Sequence, residues 1–97
     1  MVKLVLLFKQ STQTDQFDLR YVRNLALLRK MPGVVHVDEG RVTGGPGGHP
    51  AYHRTLEIHF DTFDALDAAL NSPEGVAAGK DLMAYAGSGV ELLFVDT

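Results

Sequence analysis

The feature that most constrains this fold is the alternation of side chains along Tyr52–Phe60. In an extended strand, Leu56, Ile58 and Phe60 fall on one face. The residues of the opposite face are His53, Thr55, Glu57 and His59. A strand of this kind belongs to a sheet with one face packed on a core and the other open to water or to a partner. The alternation therefore predicts a sheet with two chemically different faces.

The sequence before this strand predicts, in order, strand one, helix one and strand two. Residues 2–8 form a continuous apolar run, which predicts a central strand buried on both faces. Helix one is predicted at about 15–31, with Asp15 as its N-cap and Pro32-Gly33 as its stop. Residues 34–42 alternate loosely and predict strand two.

The segments after Tyr52–Phe60 complete a β-α-β-β-α-β order. Asp61 or Thr62 can cap a second helix, and Ser72-Pro73 predicts that the helix restarts there. Residues 90–95 predict the last strand. This order predicts a single α+β domain over residues 1–97 with a ferredoxin-like fold. Its antiparallel four-stranded sheet has strands one and three at the centre and both helices on one face.

Composition excludes several classes of function. The formal net charge is -3, and the longest basic run is Arg29-Lys30. Nucleic acid and anionic membrane surfaces both select a concentrated basic patch, so we expect neither as a partner. The chain has no cysteine, which excludes thiolate nucleophiles, thiolate metal sites and disulfides, and fits a cytoplasmic protein. Residues 43–50 are rich in glycine but lack the strand-to-helix context and the lysine of a phosphate-binding loop.

Several local strings, taken in order, are similar to those of the EthD family of dimeric α/β-barrel proteins. The strings that carry the likeness are residues 17–18, 21, 29–30, 32–34, 53–61, 72–75, 81–82 and 89–90. The resemblance implies a homodimer in which two sheets face each other and close a barrel. Related barrel families include muconolactone isomerases, small cofactor-free monooxygenases and polyketide cyclases. Members of the EthD family commonly carry a His and a Pro in helix one, whereas residues 22–27 have neither and run one residue short.

A polar cluster is predicted on the sheet face away from the helices. Strand two pairs with strand three in this topology, so His36 and Asp38 can lie beside His59 and Glu57. An imidazole oriented by a carboxylate is a usable general base near neutral pH. We therefore predict His36, His59 and Glu57 as candidate catalytic residues.

Two other interpretations of the same polar face stay open. Polar side chains on a sheet face often bond to each other and to water at a wet interface. A metal site would need ligands around one point, and His53 and His59 lie about 20 Å apart along a strand. A set of His36 with His59 and a carboxylate stays conceivable, but we expect no metal and no cofactor.

The predicted ligand is a small apolar or aromatic molecule, held in a pocket between helix one and the sheet. Tyr21, Asp38 and His53 are the predicted substrate-binding residues. Three functions follow from this arrangement: cofactor-free acid–base chemistry of an isomerase, cyclase or monooxygenase type, a non-catalytic accessory role in a degradation pathway, or a purely structural dimer. Sequence alone leaves open whether the chain is an enzyme.

Overall fold

The computed structural model describes residues 1–10 and 14–97, which form four strands and three helices. In chain order these are β1 Val2–Lys9, α1 Thr14–Arg29, β2 His36–Arg41, β3 Tyr52–Phe60, α2 Phe63–Asn71, α3 Pro73–Ala86 and β4 Val90–Asp96. The predicted β-α-β-β-α-β order is confirmed, with the second helical unit divided at the predicted restart. Within the described part of the chain, no helix has both the length and the apolar character needed to cross a bilayer.

The four strands form one antiparallel sheet in the order β2-β3-β1-β4. Strands β1 and β3 are central, as predicted, because each pairs on both sides. In the β2–β3 pair, His36 lies opposite His59 and Asp38 lies opposite Glu57. The predicted proximity of these four residues along the sheet is therefore confirmed.

One sheet face packs on the helices and forms the core. Leu4, Leu6, Leu56 and Ile58 on the central strands are buried there together with Leu66 of α2. We call this the helix side of the sheet, and the other face the open face. Residues of β1 alternate between fully and partly buried along the strand. The prediction that β1 is buried on both faces is therefore wrong for the single chain, whose helices cover only one face.

Helix α1 begins and ends slightly earlier than the sequence indicated. It starts at Thr14, so Asp15 lies in its first turn, where a carboxylate still favours the positive end of the helix dipole. The helix ends at Arg29 instead of residue 31, and Met31 bonds back to the Leu28 carbonyl. Gly33 has a φ of +82°, a left-handed conformation in which glycine lacks the steric penalty of other residues.

Side-chain caps define where α2 and α3 begin. The Thr62 hydroxyl accepts a hydrogen bond from Ala65 N at 3.1 Å and caps α2. Ser72 ends α2 and caps α3 by accepting from Gly75 N at 3.0 Å, and Pro73 occupies the first helical position. A Cβ at Gly75 would stand 2.0 Å from the Ala69 carbonyl oxygen, so only glycine fits where the two helices meet.

Candidate functional site

Three polar residues meet on the open face, and we call them the open-face cluster: His36, Asp38 and His59. The Asp38 carboxylate accepts from His36 Nε2 at 2.7 Å and from His59 Nε2 at 3.1 Å. The centroids of the two imidazole rings are 5.5 Å apart. A carboxylate that binds both rings fixes the proton of each imidazole on Nε2 and leaves Nδ1 as the basic atom.

The open-face cluster is accessible in the single chain. His36 and Asp38 are largely exposed, while His59 is mostly covered. The hydrogen bond from His36, with a smaller one from His59, holds the pKa of Asp38 below its usual value. Asp38 is thus a stable anion that orients two imidazoles on an open surface.

Glu57 does not join the open-face cluster. Its carboxylate forms an ion pair with Lys3 Nζ, from the neighbouring strand β1. Lys3 lies directly opposite His59 in the β1–β3 register, next to Glu57 on the open face. Of the two candidate carboxylates, Asp38 is therefore the one that orients His59, and Glu57 bonds to no imidazole among the described contacts.

His53 faces the helix side, not the open face as the alternation predicted. The β1–β3 register shifts between Phe8 and Lys9: Phe8 pairs with Arg54, and Lys9 pairs with Tyr52. This bulge leaves His53 as the extra residue and breaks the alternation at that point. His53 Nε2 consequently lies 3.3 Å from Oδ1 of Asp18 on α1.

Asp18 joins helix α1 to the bulge. Its Oδ1 also accepts from Arg54 Nε at 3.2 Å, so one oxygen holds two neighbouring side chains of β3. Burial alone would raise the pKa of Asp18, but the bonds and positive charges of His53 and Arg54 together hold it below its usual value. Asp18, His53 and Arg54, with Tyr21, are called the helix-side cluster below.

Tyr21 is a buried member of the helix-side cluster. Its ring packs edge-on against Phe8, with centroids 5.6 Å apart, and the Arg54 guanidinium carbon lies 4.4 Å from its centroid. Its hydroxyl donates to Glu39 Oε1 at 2.9 Å. Burial, with the charge and hydrogen bond of Glu39, raises the pKa of Tyr21 far above its usual value, so the phenol stays protonated.

A third polar network, between α1 and α3, was missed by the sequence reasoning. Asn24 is buried among apolar residues, and its Nδ2 donates to the Ala78 carbonyl at 2.9 Å and to Asp81 Oδ2 at 3.0 Å. The Tyr85 hydroxyl donates to Asn24 Oδ1 at 3.4 Å. Burial, with the nearby charge of Asp81, raises the pKa of Tyr85 far above its usual value. Asn24 follows Tyr21 by three positions on the apolar stripe of α1, which is the signal that could have identified it.

A cavity of about 340 Å³ opens beside these networks, where β1 ends and β4 begins. Its walls are Lys9, Gln10, Phe17, Tyr85, Ala86, Ser88 and Gly89. The Phe17 and Tyr85 rings lie 5.5 Å apart, centroid to centroid. Phe17 also packs edge-on against His53, with centroids 5.7 Å apart. One aromatic ring therefore forms part of the cavity wall and also contacts the helix-side imidazole.

The residues predicted as one site thus lie on two faces of the sheet. His36, Asp38, His59 and Glu57 are on the open face, whereas Tyr21 and His53 are on the helix side. The sheet separates the two groups, so they cannot line a single pocket between α1 and the sheet. Across the described residues, no group of three or more His, Asp and Glu side chains is arranged to hold a metal ion.

The chain is similar to proteins of known structure and to one uncharacterised relative, but no family model matches it. A crystal structure of an ethyl tert-butyl ether D (EthD) family protein from Bacillus halodurans superposes with a TM-score of 0.96. That protein is 33% identical, and the alignment covers 100% of this chain and 98% of the other. An uncharacterised 11.0 kDa protein of the thcB–thcC intergenic region of Rhodococcus erythropolis is 25% identical over 99% of this chain and 94% of its own length.

More distant structures share the fold. A dimeric ferredoxin-like protein of unknown function from Jannaschia has a TM-score of 0.74 and 17% identity, with 99% of this chain and 98% of the other covered. SnoaB, a cofactor-independent oxygenase from Streptomyces nogalater, has a TM-score of 0.73 and 19% identity, with 99% and 91% covered. At these identities the likeness shows the fold alone.

Proposed function

The chain belongs to the EthD family, and on that premise we propose that it is a homodimer that binds a small apolar or aromatic molecule in the cavity beside α1. The observation that carries the proposal is the cavity itself. Its volume of about 340 Å³ lies in the range of small-molecule sites, which are typically 300–1,000 Å³. Two aromatic rings form part of its wall, and Lys9 and Gln10 add a few polar groups, a combination typical of sites for such ligands.

The homodimer is supported by the chemistry of the open face. Val5, Leu7 and Leu93 present apolar side chains there, next to the polar residues of β2 and β3. Ferredoxin-like neighbours are described as dimeric. A second copy that covers this face would remove these apolar side chains from water, and an obligate interface buries on the order of 2,000 Å² or more. The open-face cluster would then be a polar part of the interface.

We further propose that the bound molecule undergoes acid–base chemistry that needs no cofactor. Support comes from SnoaB, a cofactor-independent oxygenase with the same fold, and from three histidines oriented by aspartates in this chain. An imidazole held by a carboxylate can take or give a proton near neutral pH. Catalytic roles for His36, His59 and Glu57 stay predictions, and they require a ligand on the open face.

A non-catalytic accessory protein of a degradation pathway is the second candidate. The observation that favours it is that the described residues of the cavity wall include no histidine, and that Lys9 and Tyr85 are their titratable groups. Such a protein would bind the same molecule without turnover. Binding and turnover therefore have to be measured separately.

The test of binding uses a variant that fills the cavity. Ser88→Trp places an indole where Ser88 lines the cavity, and Thr43→Trp, in an exposed loop outside it, is the matched control. We expect 2-indanone, an aromatic ketone, to bind the wild-type protein in calorimetric titration. Its dissociation constant should rise at least about tenfold in Ser88→Trp, a loss of about 1.4 kcal/mol, and stay unchanged in Thr43→Trp. Equal affinity in all three proteins, or no binding at all, would overturn the proposed cavity site.

A further inference from the structure

His53 is a histidine on the helix side of the sheet, and its position is fixed by the β1–β3 bulge. The bulge turns the imidazole away from the open face and brings its Nε2 to 3.3 Å from Asp18 Oδ1. The side chain is 14% exposed, so it is partly shielded from bulk water. Of the three histidines that bond to a carboxylate, His53 has the least exposed side chain.

We propose that His53, oriented by Asp18, is the catalytic acid–base residue for molecules bound in the cavity, and that these molecules are small carbon acids such as aromatic or alicyclic ketones and lactones. This inference rests on the proposed binding function. It assigns the proton transfer to the helix side of the sheet instead of the open face.

The Asp18 carboxylate sets which nitrogen of His53 is basic. A carboxylate only accepts hydrogen bonds, so the His53 proton lies on Nε2 and donates to Oδ1. Nδ1 is left with a lone pair and can act as the base. Arg54 Nε donates to the same oxygen at 3.2 Å, which holds Asp18 in place while the imidazole changes charge.

Phe17 connects the imidazole to the cavity. Its ring packs edge-on on His53 at 5.7 Å, lies 5.5 Å from the Tyr85 ring, and forms part of the cavity wall. The ring is only partly buried and lies in the first turn of α1, which begins at Thr14. Displacement of this ring by a bound ligand would bring that ligand into contact with His53.

Lys9 supplies a positive charge that can stabilise the anion formed in this reaction. It lines the cavity, and its Nζ lies 3.6 Å from Glu91 Oε1 at the half-exposed rim. When a proton leaves the carbon next to a carbonyl, negative charge collects on the carbonyl oxygen. An ammonium group near that oxygen stabilises the enolate electrostatically.

The proposed step is balanced without a co-reactant. The C–H bond next to the carbonyl breaks, its proton goes to His53 Nδ1, and its electron pair forms the C=C bond of an enolate. The imidazolium then exchanges this proton with solvent and returns a solvent-derived proton to the same carbon, which gives exchange, or it passes the proton to a conjugated carbon, which gives isomerisation. No oxidant, metal or cofactor takes part in this step.

The experiment follows deuterium exchange into 2-indanone by NMR in heavy water, beside calorimetric binding of the same ketone. We expect the wild-type protein to accelerate exchange, and His53→Gln to reduce that acceleration by about 100-fold with an unchanged dissociation constant. Asp18→Asn should lower the exchange rate while leaving affinity unchanged, as expected of a positioning residue. His49→Gln, in an exposed loop, is the matched histidine control and should keep the wild-type rate.

The outcomes separate this inference from the binding proposal. If the ketone does not bind, both are wrong. If it binds but the wild-type protein does not accelerate exchange, only the role of His53 is wrong. Full exchange activity in His53→Gln, or its loss in His59→Gln while His53→Gln stays active, would also overturn the assignment to His53.

Discussion

The two faces of the sheet carry the same pair of residue types in different surroundings. On the helix side His53 bonds to Asp18, and its side chain is 14% exposed. On the open face His36 bonds to Asp38, and its side chain is 61% exposed. Exposed pairs of opposite charge add little to stability because water screens them, whereas partly buried pairs are screened less. Chemical identity alone therefore says little about the role of a histidine–aspartate pair.

The two faces also differ in the side chains that they carry. The helix side is a continuous apolar core, while the open face mixes Val5, Leu7 and Leu93 with an ion pair and the open-face cluster. A partner that covered this face would remove its apolar side chains from water. The difference indicates that the helix side determines the fold of one chain and that the open face is available for association.

The largest effect should separate two adjacent leucines of β1. Leu6→Ala removes a fully buried side chain on the helix side and should lower the free energy of unfolding by about 2–5 kcal/mol. Leu7→Ala, on the open face, should cost about 1 kcal/mol in the single chain and should weaken the dimer. Urea denaturation over a series of protein concentrations, with sedimentation equilibrium, measures both. Equal losses for the two variants at every concentration would contradict the distinction between the faces.

A second comparison sets a buried asparagine against an exposed one. Asn24→Ala removes the hydrogen-bond donor to the Ala78 carbonyl and the Asp81 carboxylate. It should lower the free energy of unfolding by about 1–3 kcal/mol, because these acceptors are then left without their partner away from water. Asn71→Ala removes an exposed donor to the Asp67 carbonyl and should change it by about 0.5 kcal/mol or less. Thermal or urea unfolding of both variants provides the measurement. A loss as large for Asn71 as for Asn24 would show that burial is not the cause.

Acid should distinguish the two aspartates. The pKa of Asp18 is lowered in the folded chain from an ordinary value of 3.8, so its stabilising contribution is fully present above pH 3.8 and is lost as pH falls through the lower folded pKa. Asp18→Asn should therefore reduce stability at neutral pH and flatten its decline below about pH 4. The pKa of Asp38 is also lowered, but its side chain is more exposed than that of Asp18, so Asp38→Asn should flatten the decline less. Stability measured from pH 6 to pH 2 would refute this if Asp38→Asn had the larger effect.

The smallest effects belong to the open-face histidines. His36→Gln and His59→Gln keep a hydrogen-bonding side chain, so each should alter dimer stability by about 1 kcal/mol or less and leave ligand binding unchanged. Thermal unfolding, titration with 2-indanone and the exchange assay on both single variants and the double variant check this. Loss of turnover in the double variant alone would support catalysis on the open face.

Much of the architecture follows from local patterns. The alternation in β3 identifies Leu56, Ile58 and Phe60 as core residues and places His59 on the other face, as the structure confirms. The strand order follows from the sequence of elements, since short antiparallel connections leave few arrangements. The pairing of His36 with His59 is only a hypothesis from the sequence, because the glycine-rich loop leaves the register of the two strands open, and the structure confirms it.

What the sequence alone determined is the order of elements, the core face of β3 and the absence of cysteine chemistry. Only the tertiary structure decided that His53 turns to the helix side, that Glu57 pairs with Lys3 and that Asn24 is buried against α3. The physical reason is the separation along the chain of the residues that determine each feature. Periodicity is a property of neighbouring residues in one segment, whereas a bulge, an ion pair and a buried amide depend on the register and approach of segments far apart in the chain.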